Sequence, residues 1–340
     1  MHWRHGAVQR HDPEYSCGSM RPHAWRHARE WICTCKDSDM RMSLHVRSGA
    51  TSDALHIEVT GRGPPIVLLH GWGLHGGVFA PLVERLSDRF TLHCVDLPGH
   101  GRSRASAMPL QLDACVAHIA NRTPPALWLG WSLGGLFALH AATTRPGCVQ
   151  GLAMICATPR FVRAHDWMHA VDDSVFAQFA RDLQQDHRGT LERFIALDTL
   201  GSEHAREELR FLRQTLYAHG EPAAAALRAG LTLLQTTDLR PALPALACPS
   251  LWISGRRDRL VPSAGVEDAV RMARDATHLP IARGSHVPFV GQADVVARAI
   301  DVFANSLDRH SREGGNPRTL AFKSASQDLE KVHGSSPSRG

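Results

Sequence analysis

The sequence predicts an α/β protein with a mostly parallel central sheet, helices on both faces of it, and an all-helical insertion. Short apolar runs bounded by Gly, Pro or Asp alternate with helix-forming stretches, a pattern typical of parallel strands buried on both faces. The alternation stops after residue 157 and resumes near residue 248, and the composition in between is helical throughout. Predicted strands cover residues 66–70, 90–97, 126–132, 149–157, 250–255 and 276–282, and predicted helices include 78–88, 110–121 and 133–144.

The same pattern divides the 340 residues into five segments. Residues 43–157 and 241–308 are expected to form the two parts of one α/β core, with residues 158–240 as a helical cap inserted between them. Residues 1–42 are rich in His, Arg, Trp and Cys and show no hydrophobic period, so we expect a disordered extension there. Residues 309–340 are polar and rich in Gly and Ser, which predicts a disordered tail.

The charge distribution argues against a nucleic-acid-binding body. The formal net charge of +5 comes from the two terminal segments, and residues 43–308 are neutral overall, which leaves room only for a local basic patch. There is no secretory signal pattern and no apolar run of about 18 residues, so we expect a cytoplasmic protein without a membrane span. The eight cysteines lack disulfide-like spacing, which indicates free thiols. The C-x-C pair of Cys33 and Cys35 does not match the usual zinc spacings, so no metal site is expected.

The strongest functional signal is GWSLGG at residues 130–135. It contains G-x-S-x-G directly after a predicted strand and directly before a predicted helix, which is the context that a nucleophile turn requires. Such a turn holds the serine in strained backbone with its hydroxyl above the sheet, and side chains two residues away would clash, so glycine is needed there. We therefore predict Ser132 as the nucleophile. The alternative is a chance match in a loop, which is common where this context is missing.

A His-Gly turn ends the first strong strand, within LLHGWG at residues 68–73. We expect the backbone N–H of Trp72 to face the nucleophile and, with the N–H of Leu133, to form an oxyanion hole. Taken alone, this motif fits a plain strand-to-loop turn equally well, but beside the serine turn the functional interpretation is favoured. A third motif, DLPGHGRS at residues 96–103, is interpreted as structural, shaping the rim of the pocket.

A serine nucleophile needs a base, and the base needs an acid that orients it. Asp258 follows the predicted strand 250–255, where an acid would stand at the carboxyl end of a strand. His286 lies in the turn GSHVPF after the last predicted strand. Asp238 is the rival acid but precedes its strand, and His278 lies inside an apolar run and is expected to be packed. The three residues predict ester hydrolysis through an acyl-enzyme, with no metal and no organic cofactor.

Four segments carry a resemblance to a known family: HGWG, FTLHCVDLPGHGRSR, LWLGWSLGG and GSHVPF. Over about residues 60–305 the chain resembles the α/β hydrolases that act as pimeloyl-[acyl-carrier protein] methyl ester esterases in biotin synthesis. The insertion segment LERFIALDTLGSEHAR is similar to that esterase group in particular. The resemblance implies the α/β-hydrolase fold and a cytoplasmic enzyme. Its products would be pimeloyl-carrier protein and methanol.

The resemblance also implies roles for individual residues. FIALD, residues 194–198, would form the cap wall over the acyl chain, although the family more often has Gln where Asp198 stands. Arg193, Arg206 and Arg210 match family arginines that grip the acidic carrier protein, and Arg188 stands beside a fourth matching position. The implied substrate-binding residues are Trp72, Ser132, Leu133, Phe194, Ile195, Ala196, Leu197, Asp198 and His286.

Two alternatives stay open from the residues themselves. Arg206 and Arg210 are four apart and share one helix face, which suits an anionic partner. The same spacing fits a solvated face on which Glu203 or Glu207 pairs with the arginines. As a whole, the chain could be a hydrolase of small free esters or lactones, or a non-catalytic binding protein, though a binding role would not need Ser, His and Asp. We expect a monomer.

Overall fold

The computed structural model describes residues 54–312, with side chains through Leu307. Within this range seven strands form one sheet in the order β1-β3-β2-β4-β5-β6-β7, and only β1 runs antiparallel to its neighbour. The predicted extension over residues 1–42 lies outside the described residues, as does the predicted tail from residue 313 onward. The prediction of a tail was wrong for residues 309–312, which continue the last helix. The strands are β1 Ile57–Gly61, β2 Pro65–Leu69, β3 Thr91–Val95, β4 Ala126–Trp131, β5 Val149–Ile155, β6 Ser250–Gly255 and β7 Ala276–Ile281.

All six predicted strands are present, with both ends of each strand within two residues of the predicted range. They read as continuous apolar runs because helices cover both faces of the sheet; every residue of β4 and of β6 is buried. The edge strand β1 was not predicted. Its residues Glu58, Val59 and Thr60 are exposed, so it has no apolar run to reveal it. Its structure depends on pairing with β3.

The helices of the core begin and end close to the predicted positions. Helix α3 has almost no polar face, because the sheet covers one side of it and helices α2 and α7 contact the other. Within the described residues, no helix is long and apolar enough to cross a membrane. The core helices are α1 Ala80–Leu86, α2 Leu112–Ala120, α3 Leu133–Thr144, α8 Ser263–Met272, α9 Pro288–Gly291 and α10 Ala293–Arg312.

Four helices lie between β5 and β6, where the strand pattern is interrupted. The Asp172 carboxylate caps α4 by accepting the N–H of Ser174 at 3.0 Å. The Asp186 carboxylate caps α5 in the same way, through the N–H of Gly189 at 2.8 Å. These helices are α4 Asp173–Gln185, α5 His187–Asp198, α6 Ala205–Tyr217 and α7 Ala224–Thr236.

The start of the insertion differs from the helical prediction. Residues 158–172 contain no helix and instead form isolated β-bridges, one between Val162 and Val171 and one between Ala164 and Trp167. The Trp167 indole ties this segment together by donating to a backbone carbonyl at 2.9 Å. The prediction of helix throughout 158–240 was therefore wrong for the first fifteen residues. Their backbone hydrogen bonds are made across a loop, which propensity along the chain does not register.

The parallel arrangement decides where functional side chains can meet. In a parallel sheet the carboxyl ends of the strands share one edge, and the loops that follow them cluster there. The loops after β2, β4, β6 and β7 carry Trp72, Ser132, Asp258 and His286, respectively. Residues separated by more than 200 positions in sequence are thereby brought to the same edge.

A substitution at Gly134 tests how closely the start of α3 packs against this edge of the sheet. A side chain at position 134 would overlap the carbonyl oxygen of Leu69 and lie 2.7 Å from that of His70. Because those atoms are backbone, we expect Gly134→Ala to lower the free energy of unfolding by about 3 kcal/mol, the upper end for overpacking.

The matched control is Gly147→Ala, in the exposed turn before β5, where an added methyl group meets nothing within 4 Å. Its effect should stay within about 0.5 kcal/mol. Urea unfolding of both variants measures the difference, and equal stabilities would contradict the tight seating of α3.

Candidate active site

Ser132 occupies the sharp turn between β4 and α3 that the sequence predicts. Its backbone dihedrals are φ 52° and ψ −122°, and it is one of two non-glycine residues with positive φ among those described. Its N–H donates to the carbonyl of Ile155 at 3.1 Å, which fixes the turn against β5. A side chain at Gly130 would overlap the backbone of Gly134, so glycine is required there for the turn to close.

The side chains of Ser132, His286 and Asp258 form a continuous hydrogen-bonded chain. His286 Nε2 lies 2.8 Å from Ser132 Oγ, and His286 Nδ1 lies 2.7 Å from Asp258 Oδ2. All three residues are buried, His286 to 1% exposure. The sequence predicted these three residues, and the structure brings them together in the order nucleophile, base and acid.

The carboxylate of Asp258 is held in place by the backbone around it. Its Oδ1 accepts the N–H groups of Leu260 at 2.8 Å and Val261 at 2.9 Å, which leaves Oδ2 for His286. Burial disfavours the charged imidazolium, but the negative charge and hydrogen bond of Asp258, with the nearby Asp198, outweigh it and raise the pKa of His286. The arrangement favours a base that takes up a proton and keeps its ring orientation.

The rival residues lie in other surroundings. Asp238 accepts hydrogen bonds from Arg240 at 2.6 Å and Arg160 at 2.9 Å, and these two guanidiniums lower its pKa to about 2. His278 is half-buried, and its Nε2 lies 2.8 Å from Ser254 Oγ. Among the described residues, neither side chain forms a hydrogen bond with Ser132 or Asp258.

The loop after β2 lies directly against the nucleophile. A methyl group added at Gly71 would lie 3.2 Å from Ser132 Cβ and 2.9 Å from the Trp131 ring, so only glycine lets this loop approach. Within the described part of the chain, the backbone N–H groups of Trp72 and Leu133 donate to no other residue. Leu133 also begins α3, so its N–H points from the positive end of a helix. Both donors are free for an oxyanion.

His70 holds this loop in place through two hydrogen bonds of its ring. Its Nε2 accepts the N–H of Leu97 at 2.9 Å, which leaves Nδ1–H to donate to the Gly71 carbonyl at 2.8 Å. Burial, with the neighbouring His100 ring, lowers the pKa of His70 well below its usual value, so the ring stays neutral. The His-Gly motif thus fixes the loop through one imidazole.

Trp131, the residue before the nucleophile, is fully buried. Its indole N–H donates to the carbonyl of His286 at 2.8 Å, and its ring lies 5.8 Å from the His286 ring. The residue beside the nucleophile therefore holds the backbone of the base. Sequence reasoning missed this function because the contact joins positions 155 residues apart.

The five residues of FIALD do not share one face of α5. Phe194, Ile195 and Asp198 are buried, Leu197 is half-buried and Ala196 is exposed. The Phe194 ring lies 4.6 Å from the Trp72 ring, so the insertion contacts the loop after β2. A helical repeat of 3.6 residues spreads five consecutive side chains around the axis.

Asp198 carries the most unusual group of the site. It is fully buried, and neither carboxylate oxygen has a hydrogen-bond partner among the described residues. Burial, opposed by His286 and assisted by Asp258, raises the pKa of Asp198 to about 7. Its backbone carbonyl accepts the N–H of His286 at 3.0 Å, and its carboxyl group interacts electrostatically with the His286 ring.

Two of the three arginines of α6 are available to a partner. Arg206 and Arg210 are exposed and form no ion pair with any described residue. Glu203, a partner considered from the sequence, instead lies 3.1 Å from Arg283 and 3.9 Å from Arg257. The structure therefore does not support the alternative in which a neighbouring glutamate pairs with Arg206 and Arg210.

The other two arginines are engaged within the insertion. Arg193 lies 3.4 Å from the carboxylate of Asp182 and also faces Asp186. Arg188 lies 3.9 Å from Glu221, with its guanidinium 4.6 Å from the centre of the Tyr217 ring. Both arginines are exposed, so these pairs contribute little to stability and can open for another anion.

The five described cysteines are free thiols. Among them, Cys156 lies behind the triad, with its Sγ within 4.8 Å of ligand atoms on Asp258 and His286. Those atoms of Asp258 and His286 are already bonded to each other, and burial raises the pKa of the Cys156 thiol well above its usual value. The thiol donates to the carbonyl of Ser285 at 3.6 Å, so its contacts are those of a packing residue.

Comparisons with known proteins agree with this site. Residues 66–299 match the model of the "Alpha/beta hydrolase family". A pimeloyl-[acyl-carrier protein] methyl ester esterase of Xanthomonas oryzae pv. oryzae is 63% identical over 253 residues, 74% of this chain and 100% of that protein. The protein of the same name from Stenotrophomonas maltophilia is 62% identical and covered to 97%.

Solved structures share the fold. An esterase from Exiguobacterium antarcticum superposes with a TM-score of 0.68 at 20% identity, covering 74% of this chain and 96% of that one. An enol-lactonase from Burkholderia xenovorans superposes with a TM-score of 0.64 at 20% identity, covering 73% and 95%. At this identity the likeness concerns the fold alone.

The buried carboxyl of Asp198 makes stability depend on pH. The native state keeps its proton up to about pH 7, whereas an unfolded aspartate loses it near pH 4. The free energy of unfolding therefore falls as pH rises through that window, by about 1.4 kcal/mol per unit for this group. Asp198→Asn, which cannot ionise, should lose this part of the slope.

The measurement is urea unfolding of the parent and of Asp198→Asn at pH 5, 6 and 7. At each increase in pH, the unfolding free energy of Asp198→Asn should rise relative to that of the parent. Asp186→Asn serves as control, because its carboxyl is exposed. Parallel stability curves for the parent and Asp198→Asn would refute the elevated pKa of Asp198.

Proposed function

The chain belongs to the alpha/beta hydrolase family, and from this we propose that it is a serine carboxylesterase acting on pimeloyl-[acyl-carrier protein] methyl ester. The products are pimeloyl-[acyl-carrier protein] and methanol. The observation that carries the proposal is the chain of hydrogen bonds from Ser132 through His286 to Asp258. The choice of substrate is supported by relatives of that name at 62–63% identity, covered over 97–100% of their length.

The reaction begins with the hydroxyl of Ser132. His286 Nε2 takes the Oγ proton as Oγ attacks the ester carbonyl carbon, and Asp258 stabilises the imidazolium that forms. The carbonyl oxygen becomes an oxyanion, which the N–H groups of Trp72 and Leu133 stabilise. When the C–O bond to the methoxy group breaks, His286 returns the proton and methanol leaves.

The second half of the reaction hydrolyses the acyl-enzyme. His286 removes a proton from water, and the hydroxide attacks the acyl carbon to give a second oxyanion in the same hole. Collapse breaks the bond to Ser132 Oγ, which recovers its proton from His286. The free carboxylate of the pimeloyl chain is released on its carrier, and the enzyme returns to its starting state without a cofactor.

The carrier protein docks on the inserted helices in this proposal. Arg206 and Arg210 offer two exposed cations one helical turn apart, and Arg193 and Arg188 add two more on α5. An acidic carrier with an anionic phosphopantetheine arm complements this surface, and such charges mainly accelerate encounter and fix register. A neutral body with local cations suits this partner better than it suits nucleic acid.

The cellular setting follows from the same proposal. The enzyme works in the cytoplasm as a monomer in biotin synthesis, and it acts on neither membranes nor nucleic acid. Phe194 and Ile195 are buried on α5, and the Phe194 ring lies 4.6 Å from the Trp72 ring, so in this proposal these apolar side chains receive the acyl chain. Hydrolysis of small free esters or lactones would need the same triad but no docking arginines.

Removing the nucleophile tests the enzyme proposal. Ser132→Ala should lower kcat for a p-nitrophenyl ester by about 10⁴–10⁶-fold, the range for loss of a triad serine. A fluorophosphonate should label the parent once, at Ser132, and should not label the variant, as measured by intact-protein mass. Ser87→Ala, at the opposite edge of the sheet, should label normally. A parent protein that does not label would favour the non-catalytic binding protein.

Charge reversal tests the carrier docking. Arg206→Glu with Arg210→Glu should lower kcat/KM for pimeloyl-carrier protein methyl ester by about 100-fold, because two attractive charges become repulsive. Activity on a short p-nitrophenyl ester should stay within about twofold.

The matched control is Arg122→Glu with Arg145→Glu, two exposed arginines at the amino-terminal edge of the sheet. It carries the same change in net charge away from the site, so its activity on both substrates should match that of the parent. If the α6 double variant loses activity equally on both substrates, docking through α6 is refuted.

A further inference from the structure

The loop that carries His286 is held from the insertion as well as from the sheet. The N–H of His286 donates to the carbonyl of Asp198 at the end of α5, at 3.0 Å. The neighbouring Ser285 donates its hydroxyl to Glu208 Oε2 on α6, at 3.2 Å. Both contacts join the loop of His286 to helices of the insertion between β5 and β6.

Glu208 contacts this loop on two sides. Its side chain is buried, and its carboxylate lies so close to Gly291, at the end of α9, that a side chain at 291 would overlap it. Its other oxygen, Oε1, accepts the hydroxyl of Ser202 at 2.7 Å. One carboxylate therefore joins the start of α6 to the segment on either side of His286.

A glutamate is unexpected at this position of α6. Leu212, Thr215 and Leu216 lie on the same buried face, where an apolar side chain would be favoured. Within the described residues the carboxylate pairs with no arginine or lysine, and burial, opposed by the hydrogen bonds of Ser202 and Ser285, raises the pKa of Glu208. Stability alone would be served better by a hydrophobic side chain.

Ser285 transmits the contact to the base. It is fully buried, and its Oγ also lies 3.4 Å from the N–H of Val287, the residue after His286. Its carbonyl accepts the thiol of Cys156 at 3.6 Å. The backbone on both sides of His286 is thereby fixed to one hydroxyl, whose own orientation depends on Glu208.

We propose that Glu208 is a positioning residue for the catalytic base: by holding Ser285 it fixes His286 Nε2 at its distance from Ser132 Oγ. This inference rests on the proposed function, in which His286 and Ser132 carry the reaction. Helix α6 then has two roles: its buried Glu208 positions the base, and its exposed face carries Arg206 and Arg210. Small displacements of a base reduce the chemical step more than they reduce binding.

The first test compares Glu208→Gln, Glu208→Leu and, as control, Glu207→Gln on the exposed face of α6. Leucine fills the space without accepting a hydrogen bond, and we expect it to slow fluorophosphonate labelling of Ser132 by about 100-fold. Glutamine keeps one acceptor oxygen and should restore labelling to within about 10-fold of the parent. KM for a p-nitrophenyl ester should change less than about twofold, and Glu207→Gln should behave as the parent.

The second test separates positioning from stability. Ser285→Ala and Ser202→Ala each remove one hydrogen bond to the same carboxylate. Both should lower Tm by similar amounts, but only Ser285→Ala should lower kcat, by about 10-fold or more, and combining it with Glu208→Leu should add little. Equal losses of kcat in the two serine variants would overturn the proposal, as would a folded Glu208→Leu that labels at the parent rate.

These outcomes are distinct from failure of the enzyme proposal. If Ser132→Ala retains activity, the triad itself is refuted. If Ser132→Ala is inactive while Glu208→Gln and Ser285→Ala match the parent, only the positioning role falls. Should Glu208→Leu fail to fold, the glutamine and serine variants still decide the question.

Discussion

The site depends on one constraint, the backbone of Ser132 held at positive φ between a buried strand and a buried helix. An L-residue adopts this conformation at a cost of about 1–3 kcal/mol, and it persists only where the surroundings leave no alternative. Here the glycines at 130 and 134 let α3 close against β4 and against the carbonyl end of β2. The same close approach brings the N–H of Leu133 and the loop of Trp72 to the serine. The positions of Ser132, of Leu133 and of the loop that carries Trp72 thus depend on one packing arrangement.

His286 is held by residues of the α/β core and by a residue of the helical insertion. Its ring is oriented by Asp258 from the core, and its carbonyl accepts the indole of Trp131, which is adjacent to the nucleophile. Its N–H is satisfied by Asp198 at the end of α5. The insertion therefore contributes a hydrogen bond to the loop that carries His286.

Three aspartates show how surroundings assign roles to one residue type. Two backbone N–H groups donate to one carboxylate oxygen of Asp258, and the other oxygen is hydrogen-bonded to His286. Asp238 lies between two guanidiniums, which hold its pKa at about 2 and make it structural. Asp198 has no partner among the described residues, and burial raises its pKa to about 7. Hydrogen-bond donors, cations and burial thus give the same side chain three different environments.

The sequence by itself determined the alternation of strands and helices, the turn at Ser132, and the loops that carry Asp258 and His286. These depend on local patterns: apolar runs, glycine spacing and chain order. It did not reveal β1, whose exposed residues have no apolar run, or the bridged loop at 158–172. Nor could it assign Trp131, Asp198 or Glu208, because each acts through a contact with a residue 77 to 155 positions away or through burial. Only tertiary structure decides such contacts, since hydrogen bonding and desolvation depend on which distant residues meet.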